Sequence, residues 1–262
     1  MSALPVSVVI PCFRAAATLA RALASVRAQT RAPLEVLVVD DGSPDGAAIA
    51  AVVAQFADLP ARLIALPVNV GAGSARNAGW AQARGELIAF LDADDAWHPQ
   101  KLALQTAVML ADRTLALTAH DVVVARGAPD FRPLAPPAVR AYGWTRTLII
   151  NPSATPTWMV ARDAPARFRE GKRYVEDHLF LLELLAAGGR VLHLEAPLAA
   201  LFKPALSGAG LSSHLWAMER GELELYRLLR ERRAVSGASW AGLSALSLLK
   251  FLRRVAVVRL LR

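Results

Sequence analysis

The first hundred residues alternate short apolar runs with segments of helical spacing, and this alternation constrains the fold more than any other feature. Four runs have the length and composition of buried strands: Val6–Ile10, Leu34–Val39, Arg62–Leu66 and Glu86–Leu91. Three segments between them are predicted helices: Thr18–Gln29, Ala47–Phe56 and Gly71–Arg84. Repeated strand–helix–strand units with short connections predict an α/β fold with parallel strands and helices on both faces of the sheet.

The second half of the chain is less regular. Loops are predicted at 127–137 and 151–156, and a helix at Leu179–Ala187 ends on Gly188 and Gly189. A late strand at Arg190–Leu194 precedes a break at 207–210. Two helices, Leu215–Arg233 and Trp240–Arg262, would follow. We therefore divide the chain into an α/β domain over 1–214, with halves 1–110 and 111–214, and C-terminal helices over 215–262.

Composition and the first residues indicate the cellular compartment of the protein. The mean hydropathy is +0.34, yet no stretch of 18 residues lacks a charge, so a spanning helix is not expected. The first residues have no basic region followed by an apolar run, unlike a signal peptide. Cys12 is the only cysteine, which excludes a disulfide within the chain and a thiolate metal site. These features predict a cytoplasmic protein.

The positive charge is concentrated at the C-terminal end. The chain carries a net charge of +8. From Glu219 onward it contains ten Lys and Arg residues and four acidic residues, which gives this segment a net charge of +6. A basic tail on a nearly neutral body argues against a nucleic-acid partner and favours a local contact with anions.

An acidic cluster follows the fourth predicted strand directly: Asp92, Asp94 and Asp95 are three carboxylates within four residues. Such oxygen ligands suit Mg²⁺ or Mn²⁺, which usually keep waters and a substrate phosphate in their shells. The alternatives are a solvated acidic turn, or an N-cap for the helix predicted at 99–110. In parallel sheets, ligands bind beyond the carboxyl ends of the strands, which favours the metal.

Asp40 and Asp41 end the second predicted strand, so they should lie at the same sheet edge as the acidic cluster. An aspartate there could accept a hydrogen bond from a base N–H or a ribose hydroxyl. A plain turn with an Asx cap is the alternative.

The glycine-rich segment 71–79 only superficially resembles a dinucleotide fingerprint. Arg76 stands where that fingerprint needs glycine, which makes a dehydrogenase a distant alternative. A guanidinium at this position fits a diphosphate. The alternative is an arginine on the surface of a helix.

Glu176 and Asp177 precede the predicted helix of the second half. A carboxylate is needed in a sugar transfer to take the proton from an attacking hydroxyl. An acidic pair favoured by the helix dipole is the alternative. His120 and His178 could be ligands, and Trp97 and Trp158 could line a sugar site, although such residues are more often structural.

Four motifs, in order within residues 5–102, resemble glycosyltransferase family 2, the inverting enzymes of the GT-A fold. They are Val6–Arg14 with Ser25–Thr30, Glu35–Ser43, Asn69–Gly71 with Ala75–Gly79, and Ala83–Glu86 with Leu91–Leu102. The resemblance implies a Rossmann-like mixed sheet with helices on both faces, followed by the C-terminal helices. None of the four motifs is decisive alone, but the set is highly specific.

The resemblance also implies roles for nine residues. Pro11, Phe13 and Asp41 would surround the nucleotide base, and Arg76 would lie near the donor. Asp92 and Asp94 would form the DxD pair, with Asp94 the firmer metal ligand and Asp92 nearer the ribose; Asp95 is a possible accessory. Asp177 would be the preferred base, beside Glu176. The Gly-Gly-Phe segment common before that pair is replaced here at 166–173, so the acceptor site does not carry over.

The function implied is inverting transfer of a sugar from a nucleoside-diphosphate sugar, by default a UDP-sugar, with Mn²⁺ or Mg²⁺. The acceptor would be a saccharide or a lipid-linked molecule in cell-surface polysaccharide synthesis. Two alternatives stay open: a polyprenyl-phosphate glycosyltransferase, which needs no base, and a non-catalytic protein that binds nucleotide-sugars.

The last predicted helix carries cations among apolar residues. Ser247, Lys250 and Arg254 fall on one side, and Leu249, Leu252 and Ala256 fall largely opposite. Residues 240–262 could therefore lie at the inner face of the cell membrane as a peripheral contact. The alternatives are packing on the α/β domain or a homodimer contact.

Overall fold

The computed structural model describes residues 4–202 and 214–260, with side chains described up to 256. Nine strands form one sheet: β1 Val6–Cys12, β2 Glu35–Asp40, β3 Ala61–Ala65, β4 Leu87–Phe90, β5 Ala96–Trp97, β6 Leu115–Val124, β7 Val139–Ala141, β8 Met159–Ala161 and β9 Arg190–Leu201. The described residues form eight helices: α1 Ala16–Arg27, α2 Gly46–Ala54, α3 Ala72–Ala81, α4 Lys101–Ala111, α5 Trp144–Ile149, α6 Glu176–Ala186, α7 Leu215–Glu231 and α8 Gly237–Leu260. A 3₁₀ turn covers Thr155–Thr157.

The sheet is mixed. Its order is β3-β2-β1-β4-β8-β6-β9-β5, with β7 pairing to β9. β3, β2, β1 and β4 run parallel, which confirms the prediction for the first half. β8 is antiparallel to both β4 and β6, and it joins the parallel part of the sheet to the second half.

Helices cover both faces of the sheet, as predicted. Val8 and Ile10 of β1 pack into a cluster with Leu19 and Leu23 of α1. The next residue along the strand, Val9, packs on the opposite face with Ala75 and Trp80 of α3. Because side chains alternate across a strand, β1 buries residues on both faces and reads as a continuous apolar run.

Several elements differ from the predictions, and β5, β7, β8 and α5 were not predicted. α6 begins at Glu176 and not at Leu179, so the acidic pair forms its first turn, where the helix dipole favours negative charge. β6 was not predicted, and β9 continues through Pro197 to Leu201. Register shifts on both sides of the Asp121–Pro197 pair leave extra residues in β9, and this irregularity accommodates the proline inside the sheet.

Two predicted features lie at the limits of the described chain. The break at 207–210 and the end of the last helix at 261–262 lie outside the described residues. Within them, no helix combines the length and the apolar character that crossing a bilayer would require.

α3 packs very closely on the sheet at Gly79. A Cβ added at Gly79 would lie 2.5 Å from Cγ1 of Val9 and 3.0 Å from Cγ2 of Val39. Both neighbours are buried β-branched residues with stiff side chains, so neither can move away easily. Glycine is therefore required for α3 to approach β1 and β2.

We expect Gly79→Ala to lower the free energy of unfolding by about 1–3 kcal/mol, because the added methyl group overpacks the core. Gly242→Ala is the matched control, since a Cβ at Gly242 meets no atom within 4 Å and the site lies in helix α8. The control should leave stability equal or slightly higher. Chemical denaturation measures both, and equal stability of the two variants would contradict the packing argument.

Candidate active site

A cleft of about 710 Å³ lies beyond the carboxyl ends of β1 and β2, beside the N-terminal ends of α3 and α6. Eight of the residues named as site candidates from the sequence line it: Pro11, Phe13, Asp41, Arg76, Asp92, Asp94, Glu176 and Asp177. The structure thus brings together residues from both halves of the chain, while the role of each stays a prediction. Asp40 and Asp95 are not among the lining residues.

Arg76 connects the two halves of the cleft. Its Nη2 donates to Oδ1 of Asp92 at 2.7 Å, and its Nη1 lies 3.5 Å from Oε1 of Glu176. Burial alone would lower the pKa of this guanidinium, but the carboxylates of Asp92 and Glu176 raise it. Arg76 is only 3% exposed, so it is not a surface arginine but a permanent buried charge.

Glu176 and Asp177 have different environments although they are neighbours. Burial raises the pKa of Glu176 to about 7, Asp177 adds to the rise, and Arg76 opposes it. Oδ2 of Asp177 accepts a hydrogen bond from Nδ2 of Asn151 at 2.7 Å, and its Oδ1 accepts one from the backbone N–H of His178 at 2.8 Å. These bonds fix the orientation of the Asp177 carboxylate at the cleft.

The backbone before this pair is strained. Val175 has φ +59°, a left-handed conformation that is rare for a β-branched residue. Val175 is buried against α7 in the cluster that contains Leu225 and Leu229. Packing therefore holds the turn that places Glu176 and Asp177 at the start of α6.

The acidic cluster forms a turn that does not cap α4, and its last carboxyl group is buried while Asp92 and Asp94 are partly exposed. Asp95 is buried and accepts a hydrogen bond from the N–H of Phe202 at 3.3 Å, while α4 has no side-chain cap. Burial, reinforced by Asp92 and Asp94, raises the pKa of Asp95 to about 8. Arg21 donates to the backbone oxygen of Asp94 at 2.5 Å and stacks on the Phe202 ring. These contacts hold a loop in which three carboxyl groups lie close together and disfavour each other's negative charge.

Such a cluster of carboxyl groups fits a divalent cation. Among residues 4–202 and 214–260, no three His, Cys, Asp or Glu side chains form a group that could enclose a metal alone. Mg²⁺ and Mn²⁺ sites that use substrate phosphates need only one or two protein carboxylates. Asp94 and Asp92 can supply these from the cleft wall, and a diphosphate and waters would complete the shell.

Asp41 organises the neighbouring loop. Its Oδ2 accepts from Nδ2 of Asn69 and from the N–H of Gly71, both at 2.9 Å, and its Oδ1 accepts from the N–H of Val70 at 2.7 Å. Asp40 instead accepts from the N–H of Ser43, the Asx turn considered from the sequence. Asp41 therefore positions residues 69–71 at the cleft, whatever contact it makes with a ligand.

Three contributors were missed by the sequence analysis. Asn151 holds Asp177, while Arg173 and Tyr174 line the cleft beside Glu176. Asn151 lies in a segment read only as a break, and no spacing signal could have paired it with Asp177. Arg173 donates to the backbone oxygen of Asn69 at 3.2 Å, a contact between segments far apart in the sequence.

The other aromatic and histidine candidates are structural. Trp97 and Trp158 are buried in the core, with their indole N–H groups bonded to Pro156 and Ser153. His178 is buried against the backbone oxygen of Thr147, and His120 against that of Asp121. The Cys12 thiol lies at the cleft, but burial and the carboxylate of Asp40 raise its pKa, so it is unreactive.

Solved structures share this fold along almost the whole chain. Staphylococcus aureus TarS in complex with UDP-GlcNAc superimposes with a TM-score of 0.69 at 22% identity, covering 94% of this chain and 72% of that one. The mannosyltransferase PcManGT from Pyrobaculum calidifontis, in complex with GDP-Man and Mn²⁺, gives 0.66 at 19% identity, covering 99% and 76%. At such identities the likeness shows the fold alone: the α/β fold predicted from the sequence is confirmed as the GT-A fold of glycosyltransferases.

The chain belongs to glycosyl transferase family 2, whose family model matches residues 7–164. Escherichia coli WfgD, a UDP-Glc:α-D-GlcNAc-diphosphoundecaprenol β-1,3-glucosyltransferase, is 39% identical over 105 residues, 40% of this chain and 41% of its own length. The chain matches 27% to 41% of the length of three such relatives, WfgD included. The family resemblance of the four motifs is thereby confirmed.

We expect Asp41→Asn to destabilise the protein by about 1–3 kcal/mol, because the amide nitrogen cannot accept the bonds that one carboxylate oxygen now accepts. Asp58→Asn is the control, since Asp58 is exposed and lies 3.9 Å from Arg27. It should change stability by no more than about 0.5 kcal/mol. Thermal denaturation of both variants measures the difference. If Asp41→Asn is as stable as the wild type, the loop does not depend on this carboxylate.

Proposed function

We propose that the protein transfers a sugar, with inversion, from a nucleoside-diphosphate sugar to a hydroxyl group of a saccharide or lipid-linked acceptor. One observation carries this proposal: the acidic loop after β4 and the carboxylate pair of α6 face one cleft, with Arg76 between them. The two groups supply different chemistry, since one suits a metal-bound diphosphate and the other suits proton transfer.

The donor would bind with its nucleotide at the end of β1 and β2. Phe13 is 43% exposed, an unusual state for a phenylalanine at the end of a buried strand, and it presents a ring on which a base can stack. Pro11 and Asp41 line the same part of the cleft. A UDP-sugar is the donor we propose.

Asp94, with Asp92 beside it, would hold Mn²⁺ or Mg²⁺ at the diphosphate. When bound, the cation would stabilise the negative charge that develops on the leaving nucleoside diphosphate. Arg76 holds Asp92 in place and keeps a positive charge at the floor of the cleft. The pairing also neutralises part of the negative charge of Asp92 and Glu176, two carboxylates that would otherwise repel a phosphate.

Asp177 would act as the base. Its carboxylate takes the proton from the acceptor hydroxyl while the oxygen attacks the anomeric carbon. The bond from that carbon to the diphosphate oxygen breaks, and the electron pair leaves with the nucleoside diphosphate. Asn151 positions the carboxylate for this step, and Arg76 lies 3.5 Å from the carboxylate of the neighbouring Glu176.

The comparisons support the substrate classes. WfgD is named for a UDP-sugar donor and a diphosphoundecaprenol-linked acceptor. The structure of PcManGT was solved with a nucleotide-sugar and Mn²⁺. By analogy, we propose a role in cell-surface polysaccharide synthesis on the cytoplasmic side of the membrane. A homodimer has no support among the described contacts and is not part of this proposal.

The metal site is tested by thermal shift with UDP. We expect UDP to raise the melting temperature of the wild-type protein only when Mn²⁺ is present, and Asp94→Asn to abolish that shift. Asp130→Asn is the matched control, because Asp130 is exposed and pairs only with nearby Arg132. It should behave like the wild type. Absence of a metal-dependent shift with UDP, GDP and their sugars would overturn the proposed function.

The base is tested by the release of UDP from a UDP-sugar in the presence of Mn²⁺. Asp177→Asn should keep the UDP–Mn²⁺ thermal shift but lose about 10²–10⁴-fold in turnover, because only proton transfer is removed. If Asp177→Asn instead transfers sugar to a polyprenyl phosphate at the wild-type rate, the acceptor needs no base and the polyprenyl-phosphate alternative is correct. Binding without any turnover in the wild type would identify a non-catalytic protein.

A further inference from the structure

Helix α8 is oriented with its polar side toward the protein. Ser247 is buried, and its hydroxyl oxygen lies 2.9 Å from a carboxylate oxygen of Glu219 and 3.1 Å from one of Glu222. Arg254 lies 3.4 Å from Glu219, and Lys250 donates to the backbone oxygen of Ile149. The polar side of the predicted helical wheel is therefore packed against α7 and α5.

The opposite side of α8 is apolar and exposed. Leu249 is 64% exposed, Leu252 is 61% and Leu248 is 43%, and their spacing places them on one face of the helix. Ala245 and Ala256 are exposed on the same face. We call this set of five residues the leucine face. A helix that packs its polar side and exposes its leucines is the reverse of the usual surface helix.

The charge around the leucine face is positive. Arg253 is exposed on α8 one turn from Leu249, α8 contains no acidic residue, and Glu219 of α7 is buried and paired. The sequence from Glu219 onward has a surplus of six positive charges. An apolar stripe within a basic region is complementary to a surface that is apolar inside and negative outside.

We propose that the leucine face docks on an anionic lipid bilayer. The leucines would enter the boundary between headgroups and acyl chains, and the arginines would remain among the headgroups. A second copy of the chain is a poorer occupant, because a symmetric dimer through this face would bring two equal positive surpluses together.

The same region leads toward the active site. Trp216 is 69% exposed and its ring lies 4.6 Å from that of Phe251 on α8. Trp216 and Val255 line a cavity of about 1080 Å³ together with Arg173 and Tyr174, and these last two residues also line the active cleft. If the proposed function holds, a lipid-linked acceptor would enter the cleft from this side.

Co-sedimentation of the full chain with vesicles tests the docking, without donor or acceptor. We expect binding to vesicles of phosphatidylcholine with about one third phosphatidylglycerol, at least tenfold stronger than to phosphatidylcholine alone. Raising the salt from about 0.1 M to about 0.5 M should weaken binding, because the shorter screening length reduces the attraction of the arginines. The double variant Leu249→Asp/Leu252→Asp should lose at least tenfold in binding.

Val124→Asp is the matched control, since Val124 is 56% exposed on the sheet, outside both α8 and the cleft. It should bind vesicles like the wild type. Equal binding by the leucine variant, or equal binding to neutral vesicles, would overturn the proposal. So would a wild-type dimer, seen by analytical ultracentrifugation, that the leucine variant turns into a monomer. An unchanged UDP–Mn²⁺ thermal shift in the variant separates this proposal from the proposed function.

Discussion

The candidate site depends on one buried arginine, Arg76. Arg76 has 3% of its surface exposed and is stabilised by two carboxylates, one from the loop after β4 and one from α6. A buried guanidinium without partners would be strongly destabilising, so the positions of Asp92 and Glu176 are coupled through it. The acidic loop and the second half of the chain therefore adopt their positions together.

The packing of α3 makes this arrangement possible. Gly79 lets the helix approach β1 and β2, and Gly73 leaves room beside Glu176, whose Cγ would lie 3.1 Å from an added Cβ. Two glycines on one helix thus control its distance from the sheet and its distance from α6. The orientation of Arg76 follows from both, since it projects from the same helix between them. Side chains as large as alanine at these positions would have to be accommodated by movements of the core or of the active-site glutamate.

The sequence was most informative where local pattern determines structure. The four parallel strands, the helices between them and the convergence of Asp41 and Asp92 follow from runs of apolar residues that end in acidic residues at a common sheet edge. The antiparallel join through β8 and the bond from Asn151 to Asp177 could not be predicted, because they depend on contacts between segments with no periodicity of their own. The strained φ of Val175 likewise results from tertiary packing.

The orientation of α8 shows the same division between what a pattern contains and what packing decides. The helical wheel separates Ser247, Lys250 and Arg254 from the leucines, but it does not say which side faces the protein. Glu219 decides this, because it is buried on α7 and its burial raises its pKa. Contacts with Ser247 and Arg254 favour the charged form of Glu219 and so stabilise it in the folded protein. Satisfying one buried carboxylate turns the polar side of α8 inward, and the leucines are exposed as a consequence.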